Sequence, residues 1–208
     1  MHKVYSIKKK KYSKKYFVNF LDFTHDSVEL GLDVIMKYNI TKDQELSDQD
    51  LDNAISEQQL KDTKLAAYNY VSYKPRSEYE VRNKLETKEF SNENINLAIK
   101  FLYEFNLLDD EKYANMFVTN YIKRTPSGKF RLKQELLKRG IEEDIIAISI
   151  RDNYPAENTL QLALEAAKKH KKKISHKPKV KQKKLVTDFL VRRGFDWDII
   201  NNAISNLF

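Results

Sequence analysis

The strongest constraint on the fold is a threefold repeat within residues 60–208. The copies come into register without gaps when Leu85, Leu136 and Leu190 are aligned, at offsets of 51 and 54 residues. Four further positions are then apolar in every copy: Val81, Leu132 and Val186; Phe90, Ile141 and Phe195; Ile95, Ile146 and Ile200; Ile99, Ile150 and Ile204. Repeats of about 50 residues are typical of helical arrays, in which units stack because one unit alone buries too little surface.

A proline separates the first two helices predicted in each copy. Pro75 and Pro126 coincide in the alignment, and Pro178 lies two residues short of the third equivalent position. The helical backbone conformation is disfavoured for a residue that precedes a proline. A first helix from about Leu60 to Lys74 is therefore expected to end at the proline, before a second helix begins.

Capping residues mark the ends of the other predicted helices. Ser77 and Glu80 form a capping box at the start of the second helix of the first copy, and Ser91 is expected to cap the third. Gly140 and Gly194 predict left-handed C-terminal caps for the second helix of copies two and three. Two further helix starts are predicted at acidic residues: Asp109 or Asp110, and Asp196. Each copy is thus predicted to contain three helices.

The first 59 residues do not fit the repeat. Val4–Lys11 and Lys14–Phe23 are rich in aromatic and β-branched residues with partial alternation, which predicts two strands around a basic turn. Leu32–Tyr38 is expected to form a short helix. A capping box at Ser47 predicts another helix that ends near Ile55.

The sequence therefore predicts a mainly α fold of tandem three-helix repeats, preceded by a small module that contains a β-hairpin. The chain has only four glycines and four prolines, which favours helices over a turn-rich all-β fold. The predicted domains are 1–59 for the N-terminal β-containing module and acidic connector, 60–106 for the first repeat, 107–154 for the second and 155–208 for the third.

Composition limits the kind of protein this chain can be. It has no cysteine, which excludes disulfides and thiolate metal sites and is compatible with a reducing cytoplasm. No apolar run approaches the roughly 20 residues of a membrane span, and the lysine-rich N-terminus lacks the features of a signal peptide. We therefore expect a cytoplasmic protein that does not enter a membrane.

Charge is distributed unevenly along the chain, whose formal net charge is +8. Residues 1–16 carry +7 and residues 168–193 carry +11, while residues 17–167 between them carry −10. The ends are basic and the middle is acidic. Basic ends of this kind indicate a polyanionic partner.

No enzymatic or cofactor site emerges from the sequence. "SGKF" at 127–130 lacks the upstream glycine of a nucleotide-binding loop. His170 and His176 lie in a lysine-rich segment interpreted as a mobile linker, so we expect solvated histidines and not a metal site. A DNA-reading helix-turn-helix is disfavoured because its recognition helix would begin with the carboxylates of residues 142–144. We expect no catalysis, no cofactor and no metal.

A basic surface is predicted on the second helix of copy two. The aligned leucines of this helix face the core, so Arg131 and Lys138 project from its far side. Residues 123–139 contain seven Lys or Arg and one Glu, and the lysine run at 171–184 continues the positive field. A solvated charged face would explain any single residue, but the clustering across two copies favours a binding surface.

Three motifs stand in the first two copies: "YKPRSEYEVRNKL" at 73–85, "LLDDEKYANMFV" at 107–118 and "PSGKFRLKQELLKRGI" at 126–141. Together they resemble the RecX family of bacterial regulatory proteins, which modulate the RecA recombinase. The resemblance extends over roughly 60–208, and "DVIMKYNITKDQELS" at 33–47 resembles the N-terminal extension of members from Gram-positive bacteria. The residues that match the family motifs are Arg76, Ser77, Glu80, Leu85, Leu108, Asp109, Asp110, Tyr113, Ala114, Gly128, Arg131, Glu135, Leu136 and Gly140.

The resemblance implies an elongated, curved array of three-helix units in the helical groove of the RecA filament on single-stranded DNA. There the protein would restrain ATP hydrolysis and strand exchange and favour disassembly of the filament. The RecA filament and its single-stranded DNA are thus the expected partners, and we expect this chain to be a monomer. The predicted contacts to acidic recombinase surface or DNA backbone are Arg76, Arg124, Lys129, Arg131, Lys133, Lys138, Arg192 and Arg193.

Two alternatives remain open at this point. The first is a nonspecific single-stranded nucleic-acid-binding protein that uses its lysine-rich ends with Tyr5, Tyr12, Tyr16 and Phe17. Its binding would depend steeply on salt and would not require a recombinase. The second alternative is a helical-repeat scaffold for another protein.

Overall fold

Helices predominate in the computed structural model of the chain, which describes residues 1–21 and 27–208. The described residues divide into two compact units, Met1–Tyr73 with Arg82–Leu107, and Lys74–Val81 with Leu108–Phe208. This division is based on spatial contacts and does not test the predicted boundaries between the repeats. Those boundaries stay a prediction.

The N-terminal module contains an antiparallel sheet. Strands β1 (His2–Lys9) and β2 (Lys15–Phe20) form the predicted hairpin, although the predicted end of the second strand, Phe23, lies outside the described residues. Two strands that were not predicted extend it: β3 (Val28–Gly31) pairs with β2, and β4 (Glu45–Leu46) pairs with β1. The strand order among the described residues is β3-β2-β1-β4.

Two helices follow within the first unit. α1 (Leu32–Lys37) is the predicted short helix. α2 (Asp48–Tyr73) is continuous, which corrects the prediction of one helix that ends near Ile55 and another that begins near residue 60. Gln58, in the predicted break, is buried and accepts a hydrogen bond from the N–H of Gly31 at 2.6 Å. This contact with the sheet module holds the polar segment in the helix.

The predicted helices of the repeats are present. The aligned leucines Leu85, Leu136 and Leu190 are all fully buried, which confirms the register found in the sequence. The bounds are α3 (Glu78–Glu86) and α4 (Asn92–Glu104); α5 (Asp110–Arg124), α6 (Lys129–Leu137) and α7 (Glu143–Asn153); and a 3-10 turn (Ala156–Asn158) followed by α8 (Thr159–Lys173), α9 (Lys179–Arg192) and α10 (Trp197–Ser205).

The predicted caps are confirmed by hydrogen bonds and backbone angles. Glu80 N–H donates to Ser77 Oγ at 3.2 Å, and Ser77 N–H donates to Glu80 Oε2 at 3.1 Å. Ser91 Oγ accepts the N–H three residues later at 3.3 Å. Gly140 and Gly194 have φ angles of +69° and +74°, the left-handed conformation expected after a helix.

α8 corrects the prediction of a mobile linker around His170. Ala163, Ala166 and Ala167 are buried on one face of this helix, which continues through the lysines to Lys173. Alanine and lysine both favour helices, so packing of the alanine face is enough to order the charged turn that follows. His170 therefore occupies a fixed position.

Successive copies meet through the ends of their second helices. In the second unit, Ser77 Oγ at the start of α3 donates to the carbonyl of Arg139 at 2.7 Å. Gly128, which aligns with Ser77, donates its backbone N–H to the carbonyl of Arg193 at 2.9 Å. Arg139 and Arg193 are themselves aligned, so the same joint recurs with a side-chain donor in one case and a backbone donor in the other.

Asp110, at the start of α5, lies in an unusual environment near the start of α3, which makes the Ser77–Arg139 contact. Its Oδ1 accepts the N–H of Glu78 at 2.9 Å. Burial, together with the negative charges of Glu78, Asp109 and Glu142, raises the pKa of Asp110 to about 6. The folded chain therefore retains a proton that an unfolded aspartic acid releases near pH 4.

Asp110→Asn is expected to raise the free energy of unfolding by about 1 kcal/mol at pH 7.5, once solvent screening of this half-buried group is allowed for. The amide oxygen can still accept the Glu78 N–H but carries no charge. With a raised pKa, the stabilisation from the neutral carboxyl is lost as the pH rises from about 4 to 6, so the gain should vanish at pH 4. Urea unfolding at both pH values tests this, and a gain that does not change with pH would contradict it.

Candidate functional site

Helix α5 carries three aromatic side chains on one face. Tyr113, Phe117 and Tyr121 are spaced four residues apart, so their side chains lie above one another along the helix. The ring centroids are 6.3 Å apart for the first pair and 5.2 Å apart for the second. We call this arrangement the aromatic ladder. The four-residue spacing is visible in the sequence, but Tyr113 stands out there only as a match to a family motif, and the ladder was not predicted.

A cavity of about 460 Å³ lies beside the aromatic ladder. The guanidinium carbon of Arg139 lies 4.6 Å from the Phe117 ring centroid, within cation–π distance. Burial and the negative charge of Glu80 raise the pKa of Tyr113 to about 12, so its hydroxyl remains a proton donor. The other lining residues are Lys74, Pro75, Met116, Asn120, Arg124 and Thr125. Such a cavity suits a flat π-system with polar edges, in a base or a side chain.

Three basic residues, one within α6 and two directly after it, converge on one carboxylate. Glu135 Oε1 lies 2.8 Å from Arg131 Nη2 and 3.6 Å from Lys138 Nζ, and its Oε2 lies 3.0 Å from Arg139 Nη1. Burial acts to raise the pKa of Glu135, but hydrogen bonding to Arg139 and the neighbouring positive charges lower it overall. These four residues form the Glu135 cluster, which keeps a net charge of +2 because one carboxylate faces three cations.

The remaining predicted contact residues have different surroundings. Lys133 pairs with Glu143 at 3.0 Å, and Arg76 pairs with Glu80 at 3.7 Å with its side chain only 14% exposed. Lys129 Nζ lies 5.4 Å from the Tyr154 ring centroid. Arg192 is exposed. The Arg76 side chain is therefore largely covered, which leaves little of it free to contact a partner.

The structure brings Arg124 and Arg193 together, although they lie far apart in the sequence. Both line a second, smaller cavity, of about 160 Å³, along with Lys169, His170 and Lys173 of α8. The sequence predicted a mobile linker here; it placed Lys173 in the lysine run of the positive field and gave Lys169 and His170 no part in binding. Only the tertiary structure shows that these three side chains and the two arginines line one cavity.

The part of the chain that the structure describes contains neither a candidate membrane span nor a candidate metal site. None of its helices is both long enough and apolar enough to cross a lipid bilayer. Within the same residues, no three His, Cys, Asp or Glu side chains come together in a way that could hold a metal ion.

Family models match three consecutive segments of the chain. The first three-helix domain of RecX matches residues 64–102, the second matches 109–149 and the third matches 156–204. These matches cover the helices that carry the aromatic ladder, the Glu135 cluster and the smaller cavity.

Curated relatives and solved structures agree with these matches. "Regulatory protein RecX" of Lactococcus lactis subsp. cremoris (strain SK11) is 30% identical over 209 residues, covering all of this chain and 77% of the relative. The protein of the same name from Clostridium perfringens (strain 13 / Type A) is 32% identical, covering 84% of this chain and 82% of its own. A crystal structure of RecX from Lactobacillus salivarius matches with a TM-score of 0.62 and 26% identity, covering 72% of this chain and 96% of that one. Another crystal structure, of "regulatory protein RecX", shares the fold with a TM-score of 0.72 at 21% identity, over 99% of this chain and 100% of the other.

Proposed function

This chain belongs to the RecX family of regulatory proteins, and we propose that it regulates recombination and DNA repair by binding the RecA filament on single-stranded DNA. Binding would restrain the ATPase and strand-exchange activities of the filament. The observation that carries this proposal is the presence of all three RecX domains in one chain, with a basic surface on the second.

The Glu135 cluster is the part of the surface most suited to an acidic partner. Because one carboxylate holds three cations, the cations are positioned before binding and retain a net positive charge. Preorganised arginines lose less side-chain entropy when they bind a carboxylate or phosphate. We propose that this cluster contacts acidic recombinase surface or DNA backbone, together with the other exposed members of the predicted set.

A charge-neutralising variant tests this contact. Arg131→Gln combined with Lys138→Gln is expected to raise the concentration needed for half-inhibition of DNA-dependent RecA ATPase by about fivefold, equivalent to about 1 kcal/mol. Glutamine is preferable to glutamate here, because two more carboxylates next to Glu135 would themselves destabilise the helix. The measurement is ATP hydrolysis by RecA on single-stranded DNA as a function of added protein.

The matched control removes the same charge elsewhere. Lys42 and Lys88 are exposed and belong to the first unit, whereas every residue of the predicted set belongs to the second. Lys42→Gln combined with Lys88→Gln should leave the half-inhibition concentration within about twofold of the unmodified protein. If both double variants inhibit equally well, the contact assignment is wrong, although family membership would stand.

The alternative of direct single-stranded DNA binding is favoured by one observation in the N-terminal module. At the tip of the β1–β2 hairpin, the Tyr12 ring is fully exposed between the exposed Lys11 and Lys14. Exposed aromatics among lysines can stack on bases while the lysines bind phosphates. Retention on immobilised single-stranded DNA, with and without ATP-loaded RecA, separates the functions: filament-dependent retention supports the regulator, and retention on bare DNA supports direct binding.

A further inference from the structure

The smaller cavity is formed by three helices of the second unit. The C-terminal end of α5 contributes Arg124, with Thr125 and Pro126 directly after it. α8 contributes Ala166, Lys169, His170 and Lys173, and α9 contributes Phe189, with Arg193 directly after the helix. Its volume of about 160 Å³ is below the roughly 300–1,000 Å³ of pockets that enclose a whole drug-sized ligand. It therefore suits a small group, or one part of a larger molecule.

Positive charge dominates this cavity. No carboxylate is among its described lining residues. Lys169 pairs with Glu165 at 2.6 Å, whereas Arg124, Lys173 and Arg193 have no ion-pair partner in the portion of the chain that the structure describes. Three cations, from the ends of α5 and α8 and from the residue after α9, thus line one small space without an ion-pair partner. Like charges that line the same space repel one another, and a bound anion would offset that repulsion.

Phe189 fixes the position of two of the polar groups. The His170 ring lies parallel to it, with ring centroids 4.2 Å apart and an interplanar angle of 3°. The guanidinium carbon of Arg193 lies 4.9 Å from the Phe189 ring centroid. These contacts restrict the rotamers of His170 and Arg193, so less side-chain entropy is lost when both bind the same ligand.

We propose that this cavity is a phosphate-binding site. The ligand is the tetrahedral phosphate group of a phosphodiester or a polyphosphate, with Arg124, Lys173 and Arg193 as the principal charge partners and the Thr125 hydroxyl as a further donor. Guanidinium and ammonium groups from separate directions match the oxygens of a tetrahedral anion. The site does not require a recombinase, and it is tested on the isolated chain.

His170 couples this site to pH. Burial lowers the pKa of His170, and the positive charges of Arg192, Lys173, Arg193 and Lys177 lower it further. The other cations that line the cavity with it are Lys169 on its own helix and Arg124 on α5. A bound anion opposes those positive charges, so it should raise the pKa of His170. By linkage, anion affinity should increase as the pH falls and His170 becomes protonated.

Sulfate is the first probe, because it is a tetrahedral dianion whose charge is constant across this pH range, whereas a phosphate monoester titrates near pH 6. Nuclear magnetic resonance titration of the histidine ring protons of the full chain, at ionic strength held constant with chloride, reports each pKa. Saturating sulfate is expected to raise the pKa of His170 by about one unit, equivalent to tenfold tighter binding to the protonated form. The ring protons of His176, which does not line the cavity, serve as an internal control, because their signals at a fixed pH should not move when sulfate is added.

Variants distinguish the cavity from general positive charge. Lys173→Gln combined with Arg193→Gln should weaken sulfate binding by about tenfold or more. Lys168→Gln combined with Lys172→Gln removes two exposed lysines of α8. This variant should change the sulfate affinity by less than about twofold. His170→Phe keeps a ring against Phe189 and should make sulfate affinity equal at pH 5.5 and 7.5. The proposal would be overturned if sulfate left the pKa of His170 unchanged. It would also be overturned if the two double variants lost sulfate affinity equally.

The source of the phosphate is decided by two more probes. A short oligothymidylate presents phosphodiesters, and pyrophosphate presents a free polyphosphate. The probe that raises the His170 pKa at the lower concentration identifies the ligand class. If sulfate binds but neither phosphate compound moves His170, the cavity is an adventitious anion site only and the assignment fails.

Discussion

Gly128→Ala is expected to lower the free energy of unfolding by about 3 kcal/mol, the upper range for inserting a methyl group into close-packed structure. A Cβ atom at this position would lie 1.9 Å from the carbonyl oxygen of Gly194 and 2.6 Å from the Cα of Phe195. Both are backbone atoms at the end of α9, so no side-chain rotation can relieve the overlap. The hydrogen bond from Gly128 N–H to the Arg193 carbonyl would lengthen as the helices separate.

The aligned position in the first copy shows that the need for a residue without a side chain is specific to the contact at Gly128 and is not general to the repeat. Ser77 occupies that position and reaches the aligned carbonyl, of Arg139, through its hydroxyl. A side chain spans the gap there, whereas in the second joint the backbone itself makes the contact and leaves no room. Gly31→Ala provides the comparison and should cost less, because its new Cβ would meet only side-chain atoms: the carboxylate of Asp33 at 2.6 Å, which can rotate away, and the amide oxygen of Gln58 at 3.1 Å. Chemical denaturation of both variants measures the difference, and equal stability losses would contradict this account.

Leu136→Ala is expected to destabilise the chain by about 2–5 kcal/mol, the range for large-to-small substitutions of fully buried leucines. Leu136 has no exposed surface and packs in the core of the second repeat with Leu132, Ile141 and Ile146. Removing its side chain leaves a cavity that rigid helices on several sides cannot fill. Under the proposed function, loss of this core should also weaken inhibition of RecA, because the Glu135 cluster lies on the same helix and on the two residues after it.

Ile148→Ala is the matched control for the core substitution. Ile148 belongs to α7 of the same repeat but is 50% exposed. Its replacement by a strong helix former should change the free energy of unfolding by less than about 0.5 kcal/mol. Thermal and urea unfolding provide the comparison. A Leu136→Ala variant as stable as Ile148→Ala would show that the aligned leucines are not the core of each repeat.

The repeats were predictable because the information that defines them is local. Apolar spacing places Leu85, Leu136 and Leu190 on buried faces, and each cap depends on residues within four positions of it in the chain. The same local reasoning missed β3 and β4, which contain four and two residues. Strands this short have too little alternation to recognise, and their pairing depends on residues distant in sequence.

The candidate site was predictable only as a list of basic residues. The sequence indicated Arg131 and Lys138 as outward-facing cations, since both lie opposite the core leucines. It did not show that both would form ion pairs with Glu135. Helix periodicity defines the face on which a side chain lies, but the partner of a long, flexible side chain depends on rotamers and neighbouring helices.

The sequence by itself determined the number of repeats, the register of their cores and the residues that cap their helices, because spacing and backbone preference act over a few residues. Only the tertiary structure decided that α2 runs without a break, that α8 orders His170 against Phe189, and that Arg124, Lys173 and Arg193 face one cavity. Each of these features depends on contacts between residues far apart in the chain, and their energies are set by burial and charge in the folded state.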